Sequence, residues 1–297
     1  LCASARNIRG TLAFTAKDRG LNIMPLFHIH GLIAGVLAPI SAGSEVFCSP
    51  GFDALKFFGW MDECHPTWYT AVPTMHQAIL TRAPRNKEII AKNPLRFLRS
   101  SSSSIPPQVI TELEAVFGAP LIEAYGMTEA THQMASNPLP PATRKPGSVG
   151  LPGGPEVEIM DEAGNILPDQ TVGKVWCTGP SLMAGYFRDP ESTEACMQDG
   201  WLDTGDMGYL LNGEIVITGR AKDLILHNGR NIWPQDIEWA IETLPRLRRG
   251  DACAFSLDAV DGGAEEVVVL VLGIPAEPDE IQALIGNIRQ VVKEVAG

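Results

Sequence analysis

Apolar positions along the chain gather in short runs separated by polar punctuation. Residues 21–26 (LNIMPL), 45–48 (EVFC), 67–72 (TWYTAV), 95–99 (LRFLR) and 120–122 (PLI) are such runs, the first four with Gly, Pro or Ser on at least one side. Runs of that length predict buried strands. Between them the spacing turns helical. Residues 1–10 lead into Leu12 with Ile8 on the same side, and residues 54–64 carry Leu55, Phe58 and Met61 on one face. Pro73 opens a helix through residue 80, and Pro106 and Pro107 open one through Phe117. The small-residue run 31–42 predicts a close-packed helix. Strands alternating with helices predict a layered α/β domain.

The texture changes after Asn137. Pro138, Pro140, Pro141 and Pro146 make a stiff loop, and residues 157–160, 173–177 and 214–217 read as antiparallel strands between Gly, Asp and Pro turns. A second shift comes near residues 218–222. Beyond it, residues 224–226 and 266–272 read as strands, and residues 234–244 and 278–295 as helices. The expected organisation is an α/β part over residues 1–140, a small β-rich subdomain over 141–218, and the start of an α+β C-terminal domain over 219–297.

Composition narrows the class. The chain has 297 residues, 45% of them hydrophobic, and a formal charge of −12. Its largest basic cluster is Arg246, Arg248 and Arg249, which is too little to attract nucleic acid. No apolar run approaches the roughly 20 residues of a membrane span. The six cysteines form no C-x-x-C pair. The apolar settings of Cys48 and Cys177 suggest buried thiols in a reducing cytoplasm.

Four stretches carry candidate chemistry. In Tyr125-Gly126-Met127-Thr128-Glu129-Ala130-Thr131 an apolar strand ends in polar groups, where open α/β sheets bind ligands. Thr128 is able to donate to a phosphate oxygen, Glu129 to hold Mg²⁺, and Tyr125 to stack on a flat ring. A capping Thr and a solvated Glu explain the same residues equally well. Ser100 to Ser104, between a strand and a helix, suit a polar pocket near a helix N-terminus or a plain small-residue turn. His28 and His30 end a strand. They read as core groups or as an aromatic gate to a cavity, and zinc is rejected for want of a third ligand. Residues 201–206 (WLDTGD) suit a turn presenting a carboxylate. Asp206 is able to take two ribose hydroxyls, with Arg220 on the sugar or a phosphate; an Asx turn and a surface ion pair are the alternatives.

Six motifs then occur in order: residues 24–31 (MPLFHIHG), 99–105 (RSSSSSI), 123–129 (EAYGMTE), 200–206 (GWLDTGD), 219–223 (GRAKD) and 229–238 (GRNIWPQDIE). Together they resemble the adenylate-forming superfamily of acyl-CoA synthetases, luciferases and peptide-synthetase adenylation domains. The resemblance implies that Tyr125, with Gly126, packs on adenine and that Ser101, Ser102 and Ser103 stand in for the usual Gly-Ala-Ala wall of the nucleotide pocket. It implies that Thr128 contacts phosphate, Glu129 binds magnesium, Asp206 and Arg220 hold the ribose, and His28 gates the acyl and thiol tunnels. Lys222 falls at the hinge of the C-terminal domain, and Gly229 in the loop that rotation brings to the thiol tunnel.

The implied reaction has two steps. A carboxylate attacks the α-phosphorus of ATP, releasing pyrophosphate, and the acyl-AMP is then attacked by a thiol. That thiol is coenzyme A, or in the alternative an acyl carrier protein; a non-catalytic nucleotide-binding relative is the remaining reading. The family's phosphate loop and catalytic lysine fall outside residues 1–297, so this piece alone is expected not to adenylate. Residues 131–141 and 145–150 resemble oxalate-CoA ligases, where His132 is placed to meet a second carboxylate of a small diacid; a loop His bonding its own backbone is the alternative. Residues 229–238 resemble fatty-acyl-AMP ligases instead, so the acid stays open.

Overall fold

The computed structural model describes residues 1–145, 147–227, 230–248, 250–257, 266–272 and 277–296. They form two compact units: residues 1–204 with 208–217, and residues 205–207 with 218–297.

The first unit is built on a seven-stranded sheet. Its strands are β1 (Arg19–Asn22), β2 (Glu45–Cys48), β3 (Trp68–Ala71), β4 (Phe97–Ser100), β5 (Leu121–Met127), β6 (His132–Ser136) and β7 (Leu151–Pro152), in the order β2-β1-β3-β4-β5-β6-β7. From β2 to β5 the neighbours are parallel; β5–β6 and β6–β7 are antiparallel. Every residue of β3 and β4 is buried, as expected for strands covered on both faces. Side chains alternate across the sheet. Tyr69, Ala71, Leu98 and Leu121 face a core with helices Phe57–Cys64, Pro73–Arg82 and Pro107–Phe117. Trp68, Phe97 and Ile122 face the opposite core, with Ile8 and Leu12 from helix Cys2–Thr11 and its C-cap and Ile33 and Ala34 beyond β1.

Several boundaries differ from the sequence reading for local reasons. β1 stops at Asn22 instead of running to residue 26. The Asn22 side chain accepts from the Met24 amide at 3.1 Å, and Pro25 has no amide to offer a ladder. The small-residue run begins as a π-helix, His30–Leu37, and continues as α-helix Ala38–Ile40. Gly31 lets its backbone lie against the Pro25 carbonyl, where a Cβ would overlap. The helix expected from residue 54 starts at Phe57, leaving Leu55 exposed. Cys48 is exposed, because β2 is an edge strand; Cys177 is buried.

A second, five-stranded sheet follows: β8 (Glu156–Met160), β9 (Gly173–Thr178), β10 (Met197–Gln198), β11 (Trp201–Leu211) and β12 (Glu214–Arg220). Val157, Ile159, Val175, Cys177, Leu202 and Ile215 pack with Ala130, Met134 and Ala135, so this sheet is anchored on the β5–β6 hairpin. Residues 201–206, expected as a turn, open the long strand β11; Gly205 takes a φ of +71° that lets the strand bend there.

The second unit pairs β13 (Ile225–His227) with β14 (Arg230–Ile232), and β15 (Ala252–Leu257) with β16 (Glu266–Val271), all antiparallel. Helices Pro234–Ile241 and Pro278–Ala296 cover them around Ile225, Ile232, Ile237 and Ile241. No helix among the described residues is long and apolar enough to cross a membrane. Pro146, Gly229 and Arg249 lie outside the described residues.

Candidate active site

The site of the first unit lies where β3, β4 and β5 end. β5 carries Tyr125 and Gly126 at a bulge in its pairing with β6, and a Cβ at Gly126 would overlap the His132 carbonyl. The chain then turns through Thr128–Ala130, with Thr131 left-handed at φ +55°. Three contacts outside the hairpin hold this turn. Thr131 Oγ1 donates to the Ser181 carbonyl at 2.6 Å, Ser4 Oγ donates to the Thr131 carbonyl at 2.6 Å, and the Met183 amide donates to the Glu129 carbonyl at 2.7 Å. Thr128 is exposed and Glu129 half-buried. The Tyr186 hydroxyl donates to Glu129 Oε1 at 2.8 Å, and that bond pushes the phenol's pKa up to about 12.

The serine run is two-sided. Ser100 and Ser101 are buried, and Ser101 Oγ donates to the Ala124 carbonyl at 2.8 Å, tying β4's end to β5. Ser102, Ser103 and Ser104 are exposed, with Ser102 held at φ +76°.

Beneath the serines lies a buried basic cluster. Alternation puts Thr70 on the face of Trp68, and Arg99 on the face of Phe97, one step nearer the strand ends; the two are register partners. His30, the first residue of the π-helix, comes down on both. Its Nε2 lies 2.6 Å from Thr70 Oγ1 and 3.4 Å from Arg99 Nη1, and its Nδ1 lies 3.1 Å from Ser102 Oγ. A guanidinium has only donors. Nε2 is therefore the lone-pair nitrogen, Nδ1–H donates to Ser102, and the Ser102 hydroxyl keeps its own proton to donate elsewhere. His132 stacks on His30 with ring centroids 5.0 Å apart. Gln133, next in β6, accepts from Arg99 Nη2 at 3.4 Å and donates to Thr11 Oγ1 and the Gly153 carbonyl.

The electrostatics of this cluster are unusual. Arg99 is fully buried, and among the described residues it has no carboxylate partner. Burial brings its pKa down to about 9. Burial first, and the Arg99 charge second, hold His30 and His132 well below the usual histidine range, so both rings are neutral at pH 7. Arg99 Nε, His132 Nε2 and Ser100 Oγ are buried and have no hydrogen-bond partner among the described residues. A buried ion costs several kcal/mol unless it is compensated. A buried cation without a carboxylate partner among the described residues is suited to an anion.

His28 does not share a strand face with His30, because β1 has already ended. It is exposed in the turn before the π-helix, and its Nδ1 accepts from the His30 amide at 3.1 Å. Among the described residues no group of three His, Cys, Asp or Glu is placed to hold a metal.

In the second unit, Asp206 is nearly buried and its Oδ1 lies 3.5 Å from Nε of the exposed Arg220. Gly219 lies against the Trp233 ring, where a Cβ would collide. Lys222 is exposed in the 3₁₀ turn Ala221–Asp223. Gly229 lies outside the described residues.

The profile of the family described as AMP-binding enzyme matches residues 1–187, well over half of the chain. The chain belongs to this family. It is 42% identical over 256 residues to the oxalate–CoA ligase of Arabidopsis thaliana, covering 85% of this chain and 50% of that protein. It is 37% identical over 284 residues to the sulfoacetate–CoA ligase of Cupriavidus necator, covering 94% of this chain and 54% of that one. The fold matches ATP-bound MatB from Rhodopseudomonas palustris with a TM-score of 0.83 at 28% identity, over 97% of this chain and 57% of that chain. The chain spans about half the length of the curated relatives it matches.

In this member of the AMP-binding enzyme family, sequence reasoning named Thr128, Glu129, Tyr125, the serines and His132, but not the buried cluster that surrounds His132. Arg99 entered only as part of a motif, His30 only as a partner of His28, Gln133 only within the stretch 131–141, and Tyr186 not at all. One signal was available. Thr70 and Arg99 stand two residues after Trp68 and Phe97, so alternation alone puts two polar side chains on an apolar face.

Proposed function

We propose that the full-length protein is an AMP-forming acid–CoA ligase for a small acid that carries a second anionic group. The observation that carries the reading is Arg99, a fully buried guanidinium with no carboxylate partner among the described residues, flanked by two neutral histidines. A second carboxylate or a sulfonate compensates that charge. The neutral His132 ring, whose Nε2 has no partner among the described residues, and the Ser102 hydroxyl are the groups that orient it. A long neutral acyl chain would leave the guanidinium unpaired at a cost of several kcal/mol. The names of the two relatives agree in kind, since oxalate and sulfoacetate are both small dianions.

In the first step the reacting carboxylate attacks the α-phosphorus of ATP and pyrophosphate leaves. In the second the thiol of CoA attacks the acyl-AMP carbonyl and AMP leaves. We assign Tyr125 and Gly126, with Ser101, Ser102 and Ser103, to the nucleotide pocket. Thr128 donates to phosphate, and Asp206 and Arg220 serve the ribose. His28 borders the acid and thiol entrances, Lys222 is the hinge, and Gly229 belongs to the thiol side. Glu129 suits Mg²⁺, which characteristically takes one or two carboxylates and completes its shell with phosphate oxygens and water. When bound, that ion neutralises charge on the phosphates. CoA is preferred to a carrier protein, and the cytoplasm is the proposed location.

The test supplies full-length protein with ATP, Mg²⁺, CoA and a panel of oxalate, malonate, sulfoacetate, acetate and octanoate. Pyrophosphate and acyl-CoA are followed together. The expected result is acyl-CoA from a dianion, at a kcat/KM at least about 100-fold above the monocarboxylates, from roughly 3 kcal/mol of compensated charge. Octanoate as the best substrate, or an adenylate that accumulates despite CoA, would refute the reading.

A further inference from the structure

We propose that Tyr186 is the positioning residue for the Glu129 carboxylate, fixing one oxygen so that the other is presented to a divalent cation. The inference rests on the reading above that Glu129 takes the metal.

The phenol reaches Oε1 of Glu129 at 2.8 Å. Tyr186 is about 40% exposed, and a single hydrogen bond facing water adds little unless its donor is held in place. Here the donor is held. The Tyr186 amide donates to Thr193 Oγ1 at 2.9 Å, and Thr193 Oγ1 in turn donates to the Asp189 carbonyl at 2.8 Å. Asp189 caps the helix Pro190–Cys196, accepting from the Ser192 amide at 3.0 Å. Gly185 at φ +142° packs its Cα against the Thr193 side chain, with no room for a Cβ. The acceptor is held as well. The Met183 amide grips the Glu129 carbonyl, and Ser181 receives the Thr131 hydroxyl. One segment, residues 181–186, thus fixes both the backbone of the turn and the side chain of its carboxylate.

The chemistry follows from these constraints. A carboxylate on a bare turn rotates freely and meets a metal in many orientations. A fixed phenol on one oxygen selects a single orientation of the carboxylate plane. Outer partners of metal-ligating groups typically change metal affinity about 10–100-fold.

The experiment measures Mn²⁺ binding to the full-length protein by the EPR signal of free Mn²⁺, with α,β-methylene-ATP present. Tyr186→Phe keeps the ring and removes only the hydroxyl. The expected result is an Mn²⁺ Kd raised about 10-fold, an unchanged thermal midpoint, and activity restored by excess Mg²⁺. Glu129→Gln is measured alongside. If Glu129→Gln weakens Mn²⁺ binding and Tyr186→Phe does not, the positioning role is overturned while the metal assignment stands. If Glu129→Gln leaves Mn²⁺ binding unchanged, the metal assignment fails and the tyrosine's role fails with it. A Tyr186→Phe protein that melts earlier but binds Mn²⁺ normally would show a loop staple only, which also overturns the proposal.

Discussion

A charged residue inside a β-strand is the least readable feature of a sequence and the most informative one in this structure. Arg99 has the same identity whether it faces water or a core; only its register beside Thr70 and beneath His30 shows that it is buried. The histidines share this property. His30, His76 and His132 are all buried, and burial lowers all three, His76 to about 4. An unfolded histidine titrates near 6.5. Below that pH the unfolded chain binds protons the folded chain refuses, so stability falls as pH drops. Glu123 works in the opposite sense. Burial raises its pKa to about 7, so between its unfolded value near 4.5 and that pH the folded chain binds the extra proton, and acid favours the fold. Three groups outweigh one. The thermal midpoint is expected to fall by several degrees from pH 7.5 to 5.5, as followed by circular dichroism, and to fall less in His132→Asn. A flat or rising profile would contradict the burial of these rings as neutral groups.

At the scale of elements, the legible features were those set by local chemistry. Prolines marked helix starts closely, at Pro73, Pro107, Pro234 and Pro278, because a first-turn proline forgoes no hydrogen bond. Apolar runs located β3 and β4 to within two residues and the start of β5, but β5 runs on to Met127, five residues past the apolar run, through its pairing with β6. What stayed hidden depended on distant partners. The end of β1 was set by an Asn side chain, and the π-helix by close packing of Gly31 and Gly35 against Pro25 and Asn22. β6 opens with the buried polar residues His132 and Gln133, so its sequence does not alternate like a half-buried strand. The β5–β6 hairpin is where an element-scale test is sharpest. Gly126→Ala places a methyl on the His132 carbonyl, and no flexible side-chain end is present to yield. The expected cost is about 1–3 kcal/mol or more, read as a lowered melting midpoint and loss of nucleotide binding together. An unchanged melt would mean that the bulge at Tyr125–Gly126 is not as tight as described.

For the whole molecule, the family and the α/β class were legible because six motifs in fixed order are far more specific than any one of them. The substrate class was less legible, since motif residues 131–150 and 229–238 point to different branches. Arg99 stands at the head of the motif at residues 99–105, but nothing in the motif displays that its charge is buried under the serines. On the function proposed above, Arg99 selects the acid. The most direct test compares kcat/KM of full-length wild type and Arg99→Met for a small dianion and for a monocarboxylate of similar size. Methionine relieves the buried charge, so the variant is expected to melt no lower than wild type. It is expected to lose about 2–5 kcal/mol on the dianion, roughly 30-fold or more in kcat/KM, with the monocarboxylate little changed. If Arg99→Met keeps the dianion preference intact, the charge does not choose the substrate and the account is wrong.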